Sequence, residues 1–336
     1  IRLAELWQEL LEVDTVGIHD NFFETGGHSL LATQLISRIR DAFGTDIELR
    51  TLFESPTIAT LMMAIDQARS SGIRDQVPLV PVSRDRHLPL SFAQQRLWFL
   101  DQLTPDSAFY NMPTALRVRG ELDTGALKQS LDELLRRHES LRTTFSVEDG
   151  SPVQVISPEA TADIDSVDMS KYEAGLRETE VRRLAEEEAH EPFDLEVGPL
   201  FRTKLIRVGP DDHVILFTMH HIISDGWSIG VLIREFTTLY ESFRKGIPVE
   251  LPELAIQYAD YAHWQRQWLK DEVIEQQVSF WKEAIGVNPA PLSLPLDHPR
   301  PAVQTFNGRT LSAMVSEELT RAIKDQARTE GVTLFM

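Results

Sequence analysis

The segment Phe217-Thr-Met-His-His-Ile-Ile-Ser-Asp-Gly-Trp-Ser228 constrains this chain more than any other. Two adjacent histidines and an Asp-Gly lie between an apolar, β-rich run (Val214 to Met219) and a stretch with apolar residues at 229, 232, 233, 236, 240 and 243. The first pattern reads as a strand and the second, Trp227 to Lys245, as an amphipathic helix that Gly246 can stop. His220 and His221 therefore stand where a strand ends and the chain turns, a usual place for catalytic side chains. A pair of core or metal-binding histidines is the other reading of the same spacing.

Composition narrows the classes. At 336 residues, 42% hydrophobic and 25% charged, the chain is ordinary globular protein with room for two or three domains. No apolar run is long enough for a membrane helix, and the N-terminus does not read as a signal peptide. The lack of cysteine excludes disulfides, thiolate zinc sites and a protein thiol nucleophile. A net charge of −19 argues against nucleic acid and favours a soluble, cytoplasmic protein whose partners carry basic patches, although acidity for solubility alone reads equally well. Both ends look cut. Ile1 begins inside a helical pattern (Leu3, Leu6, Trp7, Leu10, Leu11), and an apolar run is starting at Met336 just after a helical pattern over Glu318 to Arg328.

One seam divides the chain. Residues 1 to 68 alternate helical stretches with polar turns. Ala68 to Arg84 then brings Ser, Gly and two prolines without a sustained helical period, and reads as a linker with an extended second half. From about residue 85 the pattern is mixed α/β. Helices are expected at Gln94–Leu103, Thr124–His138, Tyr172–Glu191 and Ser228–Lys245, and strands at Thr114–Arg119, Arg142–Val147, Val153–Ile156, Leu200–Val208 and His213–Met219.

The first region carries its own candidate site. Asp20-Asn-Phe-Phe-Glu-Thr-Gly-Gly-His-Ser-Leu-Leu31 is a polar loop with two glycines that delivers Ser29 to the start of a helix with Leu31, Leu35 and Ile39 on one stripe. A serine at a positive helix end suits a phosphate ester. It equally suits a plain N-cap, although Ala32 stands where a capping-box Glu or Gln would be. The residues alone leave the two level.

That loop resembles the signature of a peptidyl carrier protein from a nonribosomal peptide synthetase, and the likeness extends over residues 1–68, including Leu52-Phe53-Glu54-Ser55-Pro56-Thr57. The resemblance implies a small all-α four-helix carrier domain whose Ser29 is esterified with 4′-phosphopantetheine. Its thiol would carry the growing peptide as a thioester, which explains how a cysteine-free chain does thioester chemistry. Residues 69–84 are then the linker. The region 85–336 resembles the condensation domain of the same synthetases through Leu90-Ser-Phe-Ala-Gln-Gln-Arg-Leu-Trp-Phe-Leu100, Arg137-His-Glu-Ser-Leu-Arg-Thr-Thr-Phe145, Met219 to Ser228, Tyr258-Ala-Asp-Tyr-Ala-His-Trp-Gln265 and Leu294-Pro-Leu-Asp-His-Pro-Arg-Pro301. Such domains pair two α/β lobes of chloramphenicol acetyltransferase type with the active site between them. Here the first lobe and the opening of the second are expected.

The resemblance implies that His221 acts on the amine that attacks an upstream thioester, either as general base or by positioning and hydrogen bonding. It makes His220 a support for the loop. Asp225 either orients imidazole, as in hydrolase triads, or, as the resemblance favours, pairs with Arg142 and holds the loop. Gly226 lets the backbone approach the reacting carbonyl and offers an amide to its oxyanion. A metal at His-His-x-x-x-Asp is disfavoured, since no second cluster supplies ligands. The implied partners are a phosphopantetheinyl transferase, an adenylation domain upstream and a carrier domain downstream. With no epimerisation domain before it, the condensation domain reads as the class that joins L to L. The alternatives are a carrier and docking fragment without turnover, an epimerisation-type domain, whose first and second motifs differ from those here, and a stand-alone acetyltransferase, which the attached carrier argues against.

Overall fold

The computed structural model describes residues 2–70 except 12, 28, 46 and 48, residues 78–301 except 287 and 291, and residues 308, 311, 313–330, 332 and 334. Residues 71–77 of the expected linker lie outside the described residues. The chain divides into two compact units, 1–76 with 307–336, and 77–306.

In the first unit, α1 (Arg2–Leu11), α2 (Ser29–Phe43), α3 (Leu49–Glu54) and α4 (Ile58–Ser70) enclose one core. Leu3, Leu6, Trp7 and Leu10 form the buried stripe of α1, and Leu35 and Ile39 lie fully buried on α2, on the stripe the spacing predicts. The 20–29 loop is fastened to this core by an aromatic plug. Phe22 is fully buried, its ring meets Trp7 edge-on at 5.1 Å, and its N–H donates to Pro56 O at 2.8 Å. The same unit contains a later helix, Glu317–Thr329, which buries none of its residues.

The second unit is built on a four-stranded sheet, ordered β2 (Asn111–Arg119), β7 (Asp212–His220), β6 (Phe201–Gly209), β5 (Ile164–Asp168). Neighbours run antiparallel except β5 with β6. A smaller sheet joins β1 (Leu88–Pro89), β4 (Ser151–Ile156) and β3 (Thr143–Glu148). The helices are α5 (Phe92–Leu103), α6 (Thr124–Arg137), α7 (Ala174–His190), α8 (Gly226–Lys245), α9 (Tyr258–Trp268) and α10 (Asp271–Ile285); the exposed helix of the first unit becomes α11. A one-turn 3-10 helix, Glu139–Arg142, connects α6 to β3.

β7 is the central element because both its faces are covered. Ile215, Phe217 and Met219 pack with α6 and α8, whereas Val214 and Leu216 pack with α7. Side chains alternate across a strand, so β7 reads as one continuous apolar run, and its last residue, His220, is buried. At about 25 cal/mol per Å2 of apolar surface, each such side chain contributes on the order of 2 kcal/mol.

The structure also explains why the first motif has its form. Ser91 Oγ accepts from Gln94 N–H and Gln94 Oε1 accepts from Ser91 N–H, a complete capping box that starts α5 at Phe92, two residues before the expected start. Arg84 bridges Glu139 (2.7 Å) and the buried Asp260 of α9 (2.6 Å), tying the end of the linker to the 3-10 helix and to the fourth motif.

Candidate functional site

β7 carries the chain to its end at His220, opposite Asn111 of β2. Residues 221–225 turn, and Asp225 starts α8 by accepting at Oδ1 from the Ser228 N–H (2.8 Å) and the Ser228 hydroxyl (2.6 Å). Gly246, with φ 65°, ends that helix as its sequence predicts.

The two histidines have opposite environments. His220 is 2% exposed, with the rings of Phe193 and Tyr110 each 6.2 Å away. Its Nδ1 accepts from the Ile222 N–H at 3.1 Å, so the loop closes on an imidazole that is neutral in this role. Desolvation, with a smaller contribution from His221, lowers its pKa to about 4. His221 is exposed. Its backbone N–H donates to Tyr110 O at 2.8 Å, and its Nδ1 lies 2.7 Å from Ser224 O. A carbonyl only accepts, so Nδ1 carries the proton and the Nε2 lone pair points away from the loop's own hydrogen bonds. The Tyr110 ring lies near both imidazoles, 6.2 Å from that of His220 and 6.5 Å from that of His221, and among the described residues no group of three or more His, Asp or Glu side chains is placed to hold a metal.

Gly226 is the first residue of α8, and a Cβ there would meet nothing within 4 Å. The N–H groups of Gly226 and Trp227 belong to the first turn and have no acceptor within the helix. Developing negative charge is favoured at such a helix start.

The expected pair between Asp225 and Arg142 does not form. Arg142 donates through Nε to Leu135 O (3.0 Å) and through Nη1 to Ser157 O, so it ties the end of α6 to the end of β4. The Asp225 carboxylate is engaged as the α8 cap. A single cap residue satisfies an orphan helix donor locally, and main-chain carbonyls satisfy the guanidinium, so neither group needs the other. It is Arg137, not Arg142, that makes an ion pair with α8. Its Nε donates to Glu235 Oε2 at 3.0 Å, the guanidinium also reaches Pro252 O, and His138 Nε2 meets the same Glu235 oxygen at 2.7 Å.

Three residues that touch the site carried no signal of their own in the sequence. Tyr110 supplies the acceptor for His221 N–H, Ser224 the acceptor for His221 Nδ1–H, and Gln94 reaches Ile222 O at 3.5 Å and Gln154 at 3.2 Å. Ser224 and Gln94 lie inside recognised motifs, whereas the contribution of Tyr110 is a main-chain atom that any residue type could offer.

Ser29 is the first residue of α2. The loop before it depends on its two glycines. Gly26 adopts φ 106°, and a Cβ on Gly27 would stand 2.4 Å from the Phe22 ring and carbonyl. Gly27 N–H donates to Phe22 O at 2.8 Å, so the loop folds back over its own plug before α2 begins. A backbone that leads a serine into the first turn of a helix, beside orphan N–H donors, fits a phosphodiester at that position.

Residues 84–336 match the model of the condensation domain, and residues 2–65 match that of the phosphopantetheine attachment site. The chain is 50% identical over 336 residues to one of the subunits of linear gramicidin synthase from Brevibacillus parabrevis, covering 99% of this chain and 7% of that protein. It is 41% identical over 339 residues to a dimodular nonribosomal peptide synthase of Bacillus subtilis (strain 168), covering 99% of this chain and 14% of that one. The chain thus spans a small part of the length of these relatives. Among solved structures, the complex of the X-domain and OxyB from teicoplanin biosynthesis matches with a TM-score of 0.65 and 29% identity, over 78% of this chain and 57% of that one. The α/β region thus has the chloramphenicol acetyltransferase-like condensation fold, preceded by a helical carrier region that is the attachment site for covalent 4′-phosphopantetheine. The chain belongs to the condensation-domain family of nonribosomal peptide synthetases, with a phosphopantetheine attachment domain ahead of it.

Proposed function

We propose that this chain is the part of a nonribosomal peptide synthetase in which Ser29 bears the phosphopantetheine and the loop 220–228 forms the amide bond. The observation that carries this reading is the His221 imidazole, held by Ser224 O through Nδ1 with Nε2 left to accept a proton. When attached, the cofactor supplies a thiol on a long arm that holds an acyl group as a thioester. The chain's own residues do the rest. His221 Nε2 takes the proton of the amine as the new C–N bond forms, and passes it to the departing sulfur as the C–S bond breaks. The α8 N-terminus, through Gly226 N–H, faces the oxyanion of the tetrahedral intermediate. His220, neutral and buried, keeps the turn closed.

The partners in this reading are a phosphopantetheinyl transferase acting on Ser29, an adenylation domain that loads the carrier, and a downstream carrier that brings the acceptor amine. The direct succession of carrier, linker and condensation domain supports an L-configured donor. A cytoplasmic setting belongs to the same proposal and is supported by the acidic, cysteine-free composition; no helix among the described residues is long and apolar enough to cross a membrane.

The test uses the intact synthetase. His221→Ala should lower condensation roughly 10²–10⁴-fold, the range for loss of a general base, while coenzyme A-dependent loading, read by intact-protein mass spectrometry, stays complete and disappears in Ser29→Ala. Condensation at a near-normal rate in His221→Ala would remove His221 from the chemistry.

A further inference from the structure

The face of the main sheet that α7 covers has a polar corner at the end of β7. Directly paired residues of antiparallel strands point to the same face, so Asn111 of β2 stands beside His220 with its Cβ about 5 Å away. Thr218, two residues earlier on β7, shares that face. Two of these three side chains leave a buried polar atom without a partner among the described residues, Asn111 Oδ1 and Thr218 Oγ1. Thr218 is 1% exposed. The third, His220, spends Nδ1 on accepting the Ile222 N–H. Its neutral ring therefore carries the proton on Nε2, a donor that none of the described residues accepts.

No rearrangement within the corner satisfies these groups. Asn111 Nδ2 donates to Ala189 O (2.9 Å) and to Glu191 O (2.8 Å), so turning the amide would set its oxygen against both carbonyls. Arg202, opposite Thr218 on β6, bonds Glu188 and the carbonyls of Glu188, Glu191 and Pro192 instead. Buried polar groups left unmatched are costly, and such groups are the ones that hold internal water, typically through three hydrogen bonds. Here an acceptor, a donor and a hydroxyl meet on one face. We infer that Asn111, Thr218 and His220 hold one internal water molecule, and that Asn111 and Thr218 act through it as positioning residues for the histidine loop. The water accepts from His220 Nε2–H, donates to Asn111 Oδ1 and bonds the Thr218 hydroxyl. With Nε2–H held, Nδ1 stays the acceptor that closes the turn on the Ile222 N–H, and that turn carries His221. Only the consequence for His221 rests on the amide-forming role proposed above.

Thr218→Val tests the water by the sign of its effect. A hydroxyl bonded to water is a partner lost in the variant, whereas a dry, unmatched hydroxyl is a cost removed. The thermal midpoint of the α/β region should fall by about 2–4 °C; a midpoint that stays or rises would overturn the inference. The second readout needs no turnover. In the full chain labelled with 15N-histidine, the His220 ring is identified by the signals lost in His220→Asn. The parent should show Nδ1 unprotonated, Nε2 protonated, and a cross-peak between Nε2–H and a long-lived water. The cross-peak should weaken at least threefold in Thr218→Val and in Asn111→Leu, and its absence from the parent, or its full survival in either variant, would overturn the inference. Thr218→Val leaves the Asn111 contacts with α7 in place and keeps the test decisive if Asn111→Leu does not fold. In the intact synthetase Thr218→Val should lower kcat about threefold at unchanged KM. An unchanged kcat in a variant that has lost the cross-peak would overturn the positioning role. Survival of condensation in His221→Ala would instead strike at the proposed chemistry and leave the water site standing.

Discussion

The two motif loops of this chain solve the same problem by different means. Each leads a candidate residue to the N-terminal end of a helix, Ser29 as the first residue of α2 and His221 ahead of α8. The carrier loop is anchored on an apolar plug, Phe22, whose N–H also bonds Pro56 O, and is shaped by glycines. The condensation loop is fastened by hydrogen bonds to named atoms: Tyr110 O, Ser224 O, His220 Nδ1 and the Asp225 cap. An apolar plug fixes where a loop sits but is indifferent to rotation about it, whereas directional bonds fix the orientation of an imidazole. The difference matches the duties proposed for them, presentation of an attachment point in one loop and alignment of a proton acceptor in the other.

If that contrast is right, the carrier loop fails through packing. Phe22→Ala should cost about 3–5 kcal/mol, the usual range for a buried phenylalanine, and hydrogen exchange in the full chain should rise over residues 18–43 while 212–245 stays protected. Gly27→Ala comes next, at about 1–3 kcal/mol, because its Cβ would enter the 2.4 Å space beside the Phe22 ring and carbonyl and the plug would have to move. Loading of Ser29 should fall in both variants. A carrier that tolerated Phe22→Ala with unchanged exchange would break the comparison, since the main-chain bonds of Phe22 and Gly27 would then hold the loop without the plug.

The condensation loop should fail through protonation. His220 has a folded pKa of about 4 against 6.5 when unfolded, so the unfolded chain binds the proton first. Above pH 6.5 both states are neutral and nothing is lost. As pH falls from 6.5 to 4 the unfolded state is progressively favoured, and the loss levels off below 4. A gap of that size amounts to about 3 kcal/mol. His220→Asn keeps an acceptor for the Ile222 N–H without a titrating group, so its stability should be flat over that window where the parent's declines. Parallel pH profiles for the two proteins would refute the assignment.

Much of this was legible in the sequence, and the exceptions have physical causes. The strand, turn and helix of 212–245 were legible because period-2 and period-3.6 patterns abut there. The strand β2 begins at Asn111, not Thr114, because Pro113 reads as a breaker; β2 is an edge strand, where a missing N–H is tolerated. The strand β5 went unseen, since Ile164–Asp168 lies at the other edge and is largely exposed, leaving no apolar alternation to read. For the site, the candidate side chains could be named but their supports could not. Tyr110 and Leu135 act through carbonyl oxygens, which residue type does not encode. The resemblance suggested a pair between Asp225 and Arg142 where the structure has a helix cap and two main-chain contacts.

The smallest expected effect sharpens that last point. Asp225→Ala removes the α8 cap and should cost about 1 kcal/mol, within the usual 0.5–2 kcal/mol for such a loss, whereas Asp225→Asn keeps the acceptor and should cost less. Arg142→Ala releases the carbonyls of Leu135 and Ser157 and should destabilise independently. In a double-mutant cycle the two losses should add to within about 0.5 kcal/mol, as they do for residues that share no partner. A coupling above about 1 kcal/mol would mean that the carboxylate and the guanidinium do meet, and Asp225 would then fasten the histidine loop through charge instead of through the helix it caps.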